Sequence, residues 1–293
     1  MKKVLFIVNP IAGKMKVVKD LAEIDSTFYK GGCVCDIYFT KKKGDAIEKV
    51  IECGKNYDMI VCGGGDGTYN ELITGIMSAG INVPIGYIPA GTTNDFASTL
   101  ELNTNPVLMA KRIPRGNKKR LDVGRFDDQY FSYIASFGAF TSTSYSTQQQ
   151  MKNLFGHSAY VLEGMTDLAS IKPYHARIEA NGQVYEDDYL FGAISNSTSI
   201  AGIIKLDTRL VNLSDGMFEI MLIRMPKLLK DVPKIIIALA NGDYNGEYIT
   251  FLHASRVKVK TENELEWSLD GEWARSQGEI VLENIHEAIE LIL

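Results

Sequence analysis

Hydrophobic and polar positions alternate with two different periods along this chain. In the first hundred residues short apolar runs are separated by helix-period segments. Val4–Val8 (VLFIV) stops at Asn9-Pro10 and reads as a buried strand. A helix follows from about residue 14 to 30, ended by Gly31-Gly32. Val34–Thr40, Met59–Cys62 and Ile85–Ile88 read as further strands. Gly44–Asn56, with Ile47, Val50 and Ile51 at i, i+3 and i+4, and Tyr69–Ala79 read as helices. Nearly all-apolar strands alternating with helices predict a parallel sheet covered on both faces.

After about residue 121 the period drops to two. Gln129–Ser136, His175–Ala180, Leu190–Ser195, Met217–Arg224, Arg256–Lys260, Glu264–Leu269 and Glu279–Glu283 predict an antiparallel β domain. Helices near 150–170 and 226–241 interrupt it. The expected organisation is an α/β domain over 1–120 and a mostly antiparallel β-sandwich over 121–293. Ala288–Leu293 either closes the second domain or returns to the first.

Charge supports the division. Residues 1–120 hold 17 basic and 12 acidic residues (+5), and 121–293 hold 14 and 24 (−10), within a net −5 for 293 residues. Six cations crowd into Lys111–Arg120. They read either as a solvated loop or as a contact for anionic lipid or phosphate. Nucleic acid is disfavoured, because the chain is acidic and carries no basic-aromatic motif. The longest apolar runs are far shorter than the ~18–20 residues a membrane span needs. Cys33, Cys35, Cys53 and Cys62 lack paired CxxC spacing. A reduced, cytoplasmic protein without a signal peptide is expected.

The chemistry-bearing residues lie where predicted strands end. Gly63-Gly64-Gly65-Asp66-Gly67-Thr68 stands between a strand and a helix. Glycine lets backbone N–H groups approach a phosphate, and a helix N-terminus favours an anion. Asp66 would repel phosphate unless Mg²⁺ sits between them. The plain alternative is a glycine turn with Asp66 capping the helix. Thr68 stands where a dinucleotide fingerprint needs glycine, and Gly13-Lys14-Met15 is no Walker loop. Asn9-Pro10-Ile11-Ala12-Gly13 and Pro89–Phe96 follow two other strands. Three such loops on one sheet edge predict a phosphate-binding edge.

These residues resemble a known family. Asn9-Pro-x-Ala-Gly13, Gly64-Gly-Asp-Gly-Thr68 with Asn70-Glu71, and Pro89-x-Gly-Thr-x-Asn-Asp95-Phe96 look like the three hallmark motifs of soluble diacylglycerol and sphingosine kinases. The resemblance continues through Leu121–Gly124, Lys152/Gly156/Tyr160, Asn196, Asp215-Gly216 and Asp270-Gly271-Glu272. It implies an α/β domain similar to NAD kinases and phosphofructokinases, a β-sandwich, and an acceptor site between them. It implies an ATP- and Mg²⁺-dependent lipid kinase, with diacylglycerol the first candidate acceptor. ATP would contact Asn9, Pro10, Gly13, Thr40, Gly64, Gly65, Asp66, Gly67, Thr68, Asn70, Glu71, Gly91, Thr92 and Asn94. A Mg²⁺–water network would use Asp66, Asp95 and Asp122. A second Mg²⁺ would sit at Asn212, Asp215 and Met217. The base would be Asp270 or Glu272; a solvated hairpin turn is the alternative for that pair. The resemblance further implies a membrane lipid partner, transient contact with an anionic surface and no nucleic acid; a homodimer stays open.

Two departures touch the lipid side. Asn196 leads to Ala201-Gly202-Ile203 rather than a Gly-Gly segment, and Lys205-Leu206-Asp207 stands where a proline is usual. Rival readings are an NAD or sugar-phosphate kinase and a non-catalytic nucleotide- or lipid-binding regulator. His157, His175, His253 and His286 lack metal-ligand spacing. Trp267 and Trp273 flank the acidic pair as core or as an apolar wall. Gln148–Gln150 reads as a helix start, and the Tyr145–Ile171 segment either packs inward, the favoured reading, or guides an acyl chain in part.

Overall fold

Every residue of the strand runs Val4–Val8, Met59–Cys62 and Ile85–Pro89 is buried, because helices cover both sides of a parallel sheet. The computed structural model describes residues 1–138, 173–200 and 204–293. Contacts divide the chain into two units.

Unit 1 comprises residues 1–123, 129–132 and 286–293. Its elements are β1 (Lys2–Val8), α1 (Lys16–Lys19), α2 (Leu21–Lys30), β2 (Cys33–Phe39), α3 (Asp45–Cys53), β3 (Met59–Gly64), α4 (Asp66–Ala79), β4 (Ile85–Pro89), α5 (Asp95–Thr99), α6 (Pro106–Arg112), β5 (Lys118–Phe126, its first part) and β6 (Gln129–Phe131). β1 pairs in parallel with β2 and β3, and β3 pairs in parallel with β4. Ile24 and Phe28 of α2, Ala46 and Val50 of α3, and Leu72, Ile73 and Ile76 of α4 are buried. That is the apolar stripe an amphipathic helix lays on a sheet.

The sequence reading differs here in three places. The helix expected over 14–30 starts only at Lys16, because Gly13, Lys14 and Met15 all take left-handed backbone, and it breaks into two helices at Asp20 (φ −99°, ψ 8°). α4 starts at Asp66 rather than Tyr69. The basic stretch is not one loop: Lys111 and Arg112 end α6, and Lys118–Arg120 open β5. α6 itself follows a sequence signal not used above. Asn105 caps it by accepting the Val107 and Leu108 N–H groups, both at 3.0 Å, with Pro106 at the first turn.

Unit 2 comprises 124–128 and 133–285. It contains β7 (Ile134–Gly138), β8 (Tyr174–Ala180), β9 (Gln183–Ser195), β10 (Ser199–Ile200), β11 (Ile204–Lys205), β12 (Phe218–Arg224), α7 (Val232–Asn241), β13 (Ile249–Ala254), β14 (Arg256–Leu269) and most of β15 (Glu272–Ile292). The pairings β13–β12–β9–β7–β14–β15 are antiparallel throughout. β8 occupies the same slot as β7, pairing with the other halves of β9 and β14. Gly138 faces Phe191 and Tyr174 faces Tyr189, so the chain leaves and re-enters this slot within two positions of β9. Trp267 is buried here, its ring edge-on to Phe126 and Phe137 at 5.1 and 5.0 Å, and its indole N–H donates to Ser276 Oγ.

Several strands are longer than the sequence pattern suggests. The two segments expected at 256–260 and 264–269 form one strand, β14, with a register shift between Thr261 and Leu265. Glu279–Glu283 is part of the 21-residue β15, and β13 was not anticipated. The 121 boundary compares with a division at Val123, with 129–132 and 286–293 also in unit 1. The last residues return to unit 1: Leu291 pairs in parallel with Ile85, and Leu293 exchanges backbone hydrogen bonds with Asn117. The helix expected near 150–170, the Tyr145–Ile171 segment with Gln148–Gln150, the Lys152/Gly156/Tyr160 motif, His157 and Ala201–Ile203 lie outside the described residues.

Candidate active site

In unit 1 the ends of three parallel strands carry the loops singled out from sequence, and close backbone contacts knit them together. Asn9 follows β1; its amide Nδ2 donates to Thr68 Oγ1 at 3.1 Å, and its Oδ1 accepts the Ile11 N–H. Pro10 is half-buried between them. Gly13 has φ +52°, and a Cβ there would stand 2.0 Å from the Ala90 carbonyl oxygen. Gly65 and Gly91 approach so closely that a Cβ on Gly91 would lie 2.7 Å from Gly65 Cα. Only glycine permits both contacts. Thr68 packs over Gly64, where a Cβ would meet it at 2.7 Å.

The glycine turn resolves into an N-terminus. Gly65 is the N-cap of α4, and Asp66 and Gly67 are its first two residues. The Asp66 carboxylate accepts the backbone N–H groups of Asp95 (3.1 Å) and Phe96 (3.4 Å), tying α4 to the start of α5. Asn94, in left-handed conformation, closes the 91–94 loop: Oδ1 accepts the Gly91 N–H (2.7 Å) and Nδ2 donates to the Gly91 carbonyl (2.9 Å). Thr92 stands exposed on that loop. Tyr69 stacks between Tyr87 and Phe96, with centroids 4.6 and 5.1 Å away, and fixes the helix carrying Asp66. Burial pushes the Asp66 carboxyl up, and the neighbouring Asp95 charge adds to that; the two amide donors oppose it. Two acids side by side at a strand-end loop are a donor set that fits a hard divalent cation.

Other expected nucleotide contacts hold structure. Glu71 sits one turn into α4, but its carboxylate accepts the Gly44 N–H (2.8 Å) and the Ala46 N–H (3.3 Å), capping α3. Asp45, which the sequence reading passed over, accepts the Lys41 and Lys42 N–H groups at 2.6 and 3.2 Å. Between them the two acids fix the loop that follows Thr40, itself bonded through its N–H to the Val8 carbonyl. Asn70 is half-buried, and its Oδ1 is buried without a hydrogen-bond partner. Asp122 is buried on β5, its Oδ1 accepting the Glu287 N–H (2.7 Å) and meeting His286 Nδ1 (3.1 Å). Both contacts set it against the 286–287 segment of β15. Among the described residues no three His, Cys, Asp or Glu side chains converge as a metal-binding group.

Unit 2 separates the acidic pair. Asp270 is buried, at φ +50°, and one carboxylate oxygen accepts the N–H groups of Tyr133 and Ile134, both at 3.0 Å. Glu272 is exposed at the start of β15. Trp267 is core, whereas Trp273 is 49% exposed with the Arg275 guanidinium over its ring. In the 212–217 turn, Asn212 Oδ1 accepts the Ser214 N–H and Asp215 Oδ1 accepts the Met217 N–H. Two residues on, Glu219 is wholly buried, and burial pushes its carboxyl up to about 8. Nothing in the alternating β12 pattern marked it out: a lone acid there reads as solvent-facing.

The chain matches the family model of the diacylglycerol kinase catalytic domain over residues 3–126, and that of the YegS C-terminal NAD kinase beta sandwich-like domain over 135–292. A diacylglycerol kinase of Bacillus subtilis is 31% identical over 296 residues, covering 100% of this chain and 97% of its own. One from Staphylococcus carnosus is 31% identical over 276 residues, covering 93% and 89%. The crystal structure of a putative diacylglycerol kinase from Bacillus anthracis superposes with a TM-score of 0.81 at 26% identity, over 99% of this chain and 97% of that one. Loops that join three strand ends around Asp66, and family matches running the length of both units, lead to one conclusion: the chain belongs to the diacylglycerol kinase family and is a lipid kinase.

Proposed function

We propose that this protein transfers the γ-phosphoryl group of ATP to the hydroxyl of diacylglycerol, giving phosphatidic acid, in a Mg²⁺-dependent reaction. The observation that carries the reading is the convergence of three strand-end loops around the Asp66 carboxylate. Unit 1 is the nucleotide-binding half. Backbone N–H groups of the 65–68 segment, at the N-terminus of α4, face phosphate charge. Asn9, Thr68 and Asn94 hold the loops in shape and present hydroxyl and amide groups to the nucleotide. Bound Mg²⁺ would neutralise phosphate charge, with Asp66 and Asp95 holding it and Asp122 supporting the network through β5. The turn at Asn212, Asp215 and Met217 is a second cation site.

Phosphoryl transfer needs positioning and charge neutralisation more than a strong base. Unit 2 supplies the acceptor side. Asp270 is the base: two amides fix one of its oxygens, which aims the carboxylate to take the hydroxyl proton. Glu272, exposed, is its partner rather than the base.

No helix of the described residues is long and apolar enough to cross a membrane. The acceptor lipid is therefore met at a surface. Lys111, Arg112, Arg115, Lys118, Lys119 and Arg120 are all exposed, and such a cluster attracts an anionic leaflet. Sedimentation with phosphatidylglycerol vesicles should fall steeply with salt; salt-insensitive binding removes this stretch from the contact. For the chemistry, purified protein is given labelled ATP, Mg²⁺ and diacylglycerol micelles. Asp270→Asn should lower kcat at least 100-fold with nucleotide binding intact, and Glu272→Gln less than 10-fold. Wild-type protein that binds ATP but labels no lipid would overturn the reading.

A further inference from the structure

Unit 2 holds a fully buried acid that this chemistry leaves unused. Glu219 lies on β12, paired with Ser195 of β9 on one side and His253 of β13 on the other. It is 0% exposed, and neither carboxylate oxygen has a hydrogen-bond partner. The polar side chains beside it are engaged elsewhere. Ser195 Oγ donates to the Glu219 main-chain carbonyl at 3.2 Å, and His253 Nε2 meets the Leu210 carbonyl at 2.8 Å. What bears on the carboxylate is the Asp215 charge, which opposes its ionisation, and the Asn212 and Ser197 amides, which favour it without closing a hydrogen bond of normal geometry. The 212–217 turn thus brings a second carboxylate toward a first one that is already sealed from water.

A buried acid with no donor either stays protonated or needs a partner that shares its charge. The turn cannot do so with its own side chains: Asn212 Oδ1 and Asp215 Oδ1 are committed to the Ser214 and Met217 N–H groups. Two carboxylates form an oxygen donor pair, which suits a hard divalent cation such as Mg²⁺ or Ca²⁺. We infer that Glu219 belongs to the cation site of the 212–217 turn, facing the ion from the sheet while Asp215 faces it from the turn. This rests on the reading of that turn as a cation site, and adds to it the charge that makes the ion necessary for packing. Its action is positional: with the ion in place, β12 is locked to the turn and to the 196–198 segment.

The test is Mg²⁺ titration calorimetry and thermal melting of the full chain without nucleotide, in an Asp66→Asn background that removes the acid at the other site. Glu219→Gln should bind Mg²⁺ 10–100-fold more weakly, the range seen when a metal's supporting shell is removed, and lose the Mg²⁺-dependent rise in melting temperature. Asp215→Asn should do the same. If Asp215→Asn abolishes binding while Glu219→Gln keeps wild-type affinity, the inference fails and the turn site stands. If neither variant changes Mg²⁺ binding, the turn reading fails and the inference with it. Should Glu219→Gln not fold, Glu219→Asp keeps the charge with shorter reach and should bind more weakly than wild type. Amide exchange at Ser197 and Asn212 of the wild type should slow on adding Mg²⁺; no slowing overturns the proposal.

Discussion

Glu71 offers the sharpest separation between a residue that touches nucleotide and one that shapes the site. Its motif position implies nucleotide contact, yet its carboxylate spans two N–H groups at the start of α3, at 2.8 and 3.3 Å. That helix has no other side-chain cap, because Gly44 is its N-cap residue. Glu71→Ala leaves both N–H groups without their partner. A hydrogen bond to a charged group is worth about 1.5–3 kcal/mol. The 3.3 Å bond is the weaker, and Glu71 is half-buried, so the loss should be about 2 kcal/mol. At about 2–4 °C per kcal/mol for chains somewhat shorter than this one, the melting temperature should drop by roughly 4–8 °C. Glu71→Gln, which keeps one acceptor oxygen, should recover part of it. The assay is thermal melting without nucleotide beside the KM for ATP. An Ala variant that melts like wild type but loses ATP affinity would refute the capping argument and return Glu71 to direct contact.

Three further outcomes follow from the geometry. Gly13→Ala places a methyl 2.0 Å from the Ala90 carbonyl oxygen, so the two loops must part by about 1 Å; kcat/KM for ATP should fall about 100-fold, measured under limiting nucleotide. Asp66 has its carboxyl pushed up in the folded state, so its contribution to stability is present below the ordinary Asp range and lost as pH rises through the raised value. Asp66→Asn should therefore raise the Mg²⁺-free melting temperature at neutral pH, with the gain shrinking toward pH 4; a constant gain contradicts the sign. Trp267→Ala removes a buried ring packed on Phe126 and Phe137 and should cost about 3–5 kcal/mol by denaturant unfolding, with Trp267→Phe milder.

What was legible in the sequence is what local pattern controls. β1 from Val4 on, β3 and β4 are buried throughout because both faces are covered, and their bounds come within a residue or two of the reading. The first half of β9, Gln183–Asp188, was missed because its face is ionic. It is held to β8 by Arg177–Glu186 and His175–Asp188 contacts, which look like turn residues in one dimension. At the site, the glycines and Asp66 were readable as a turn from a strand into a helix. Whether Glu71 binds ligand or caps a neighbouring helix depends on where Gly44 lies in space, and no spacing encodes that. Glu219 is the extreme case, an acid in a strand whose burial only the tertiary fold creates.

The return of residues 286–293 to unit 1 has a consequence for synthesis. Leu291 pairs with Ile85, and Asp122 is held by the His286–Glu287 segment. A ribosome adding about 5–20 residues per second needs roughly 10–30 s to travel from the end of the unit's first stretch to these last strand residues. During that interval the first unit waits with the edge of β4 uncovered. Unit 1 is thus the first to be begun and the last to be finished, so its completion certifies that unit 2 has also been synthesised.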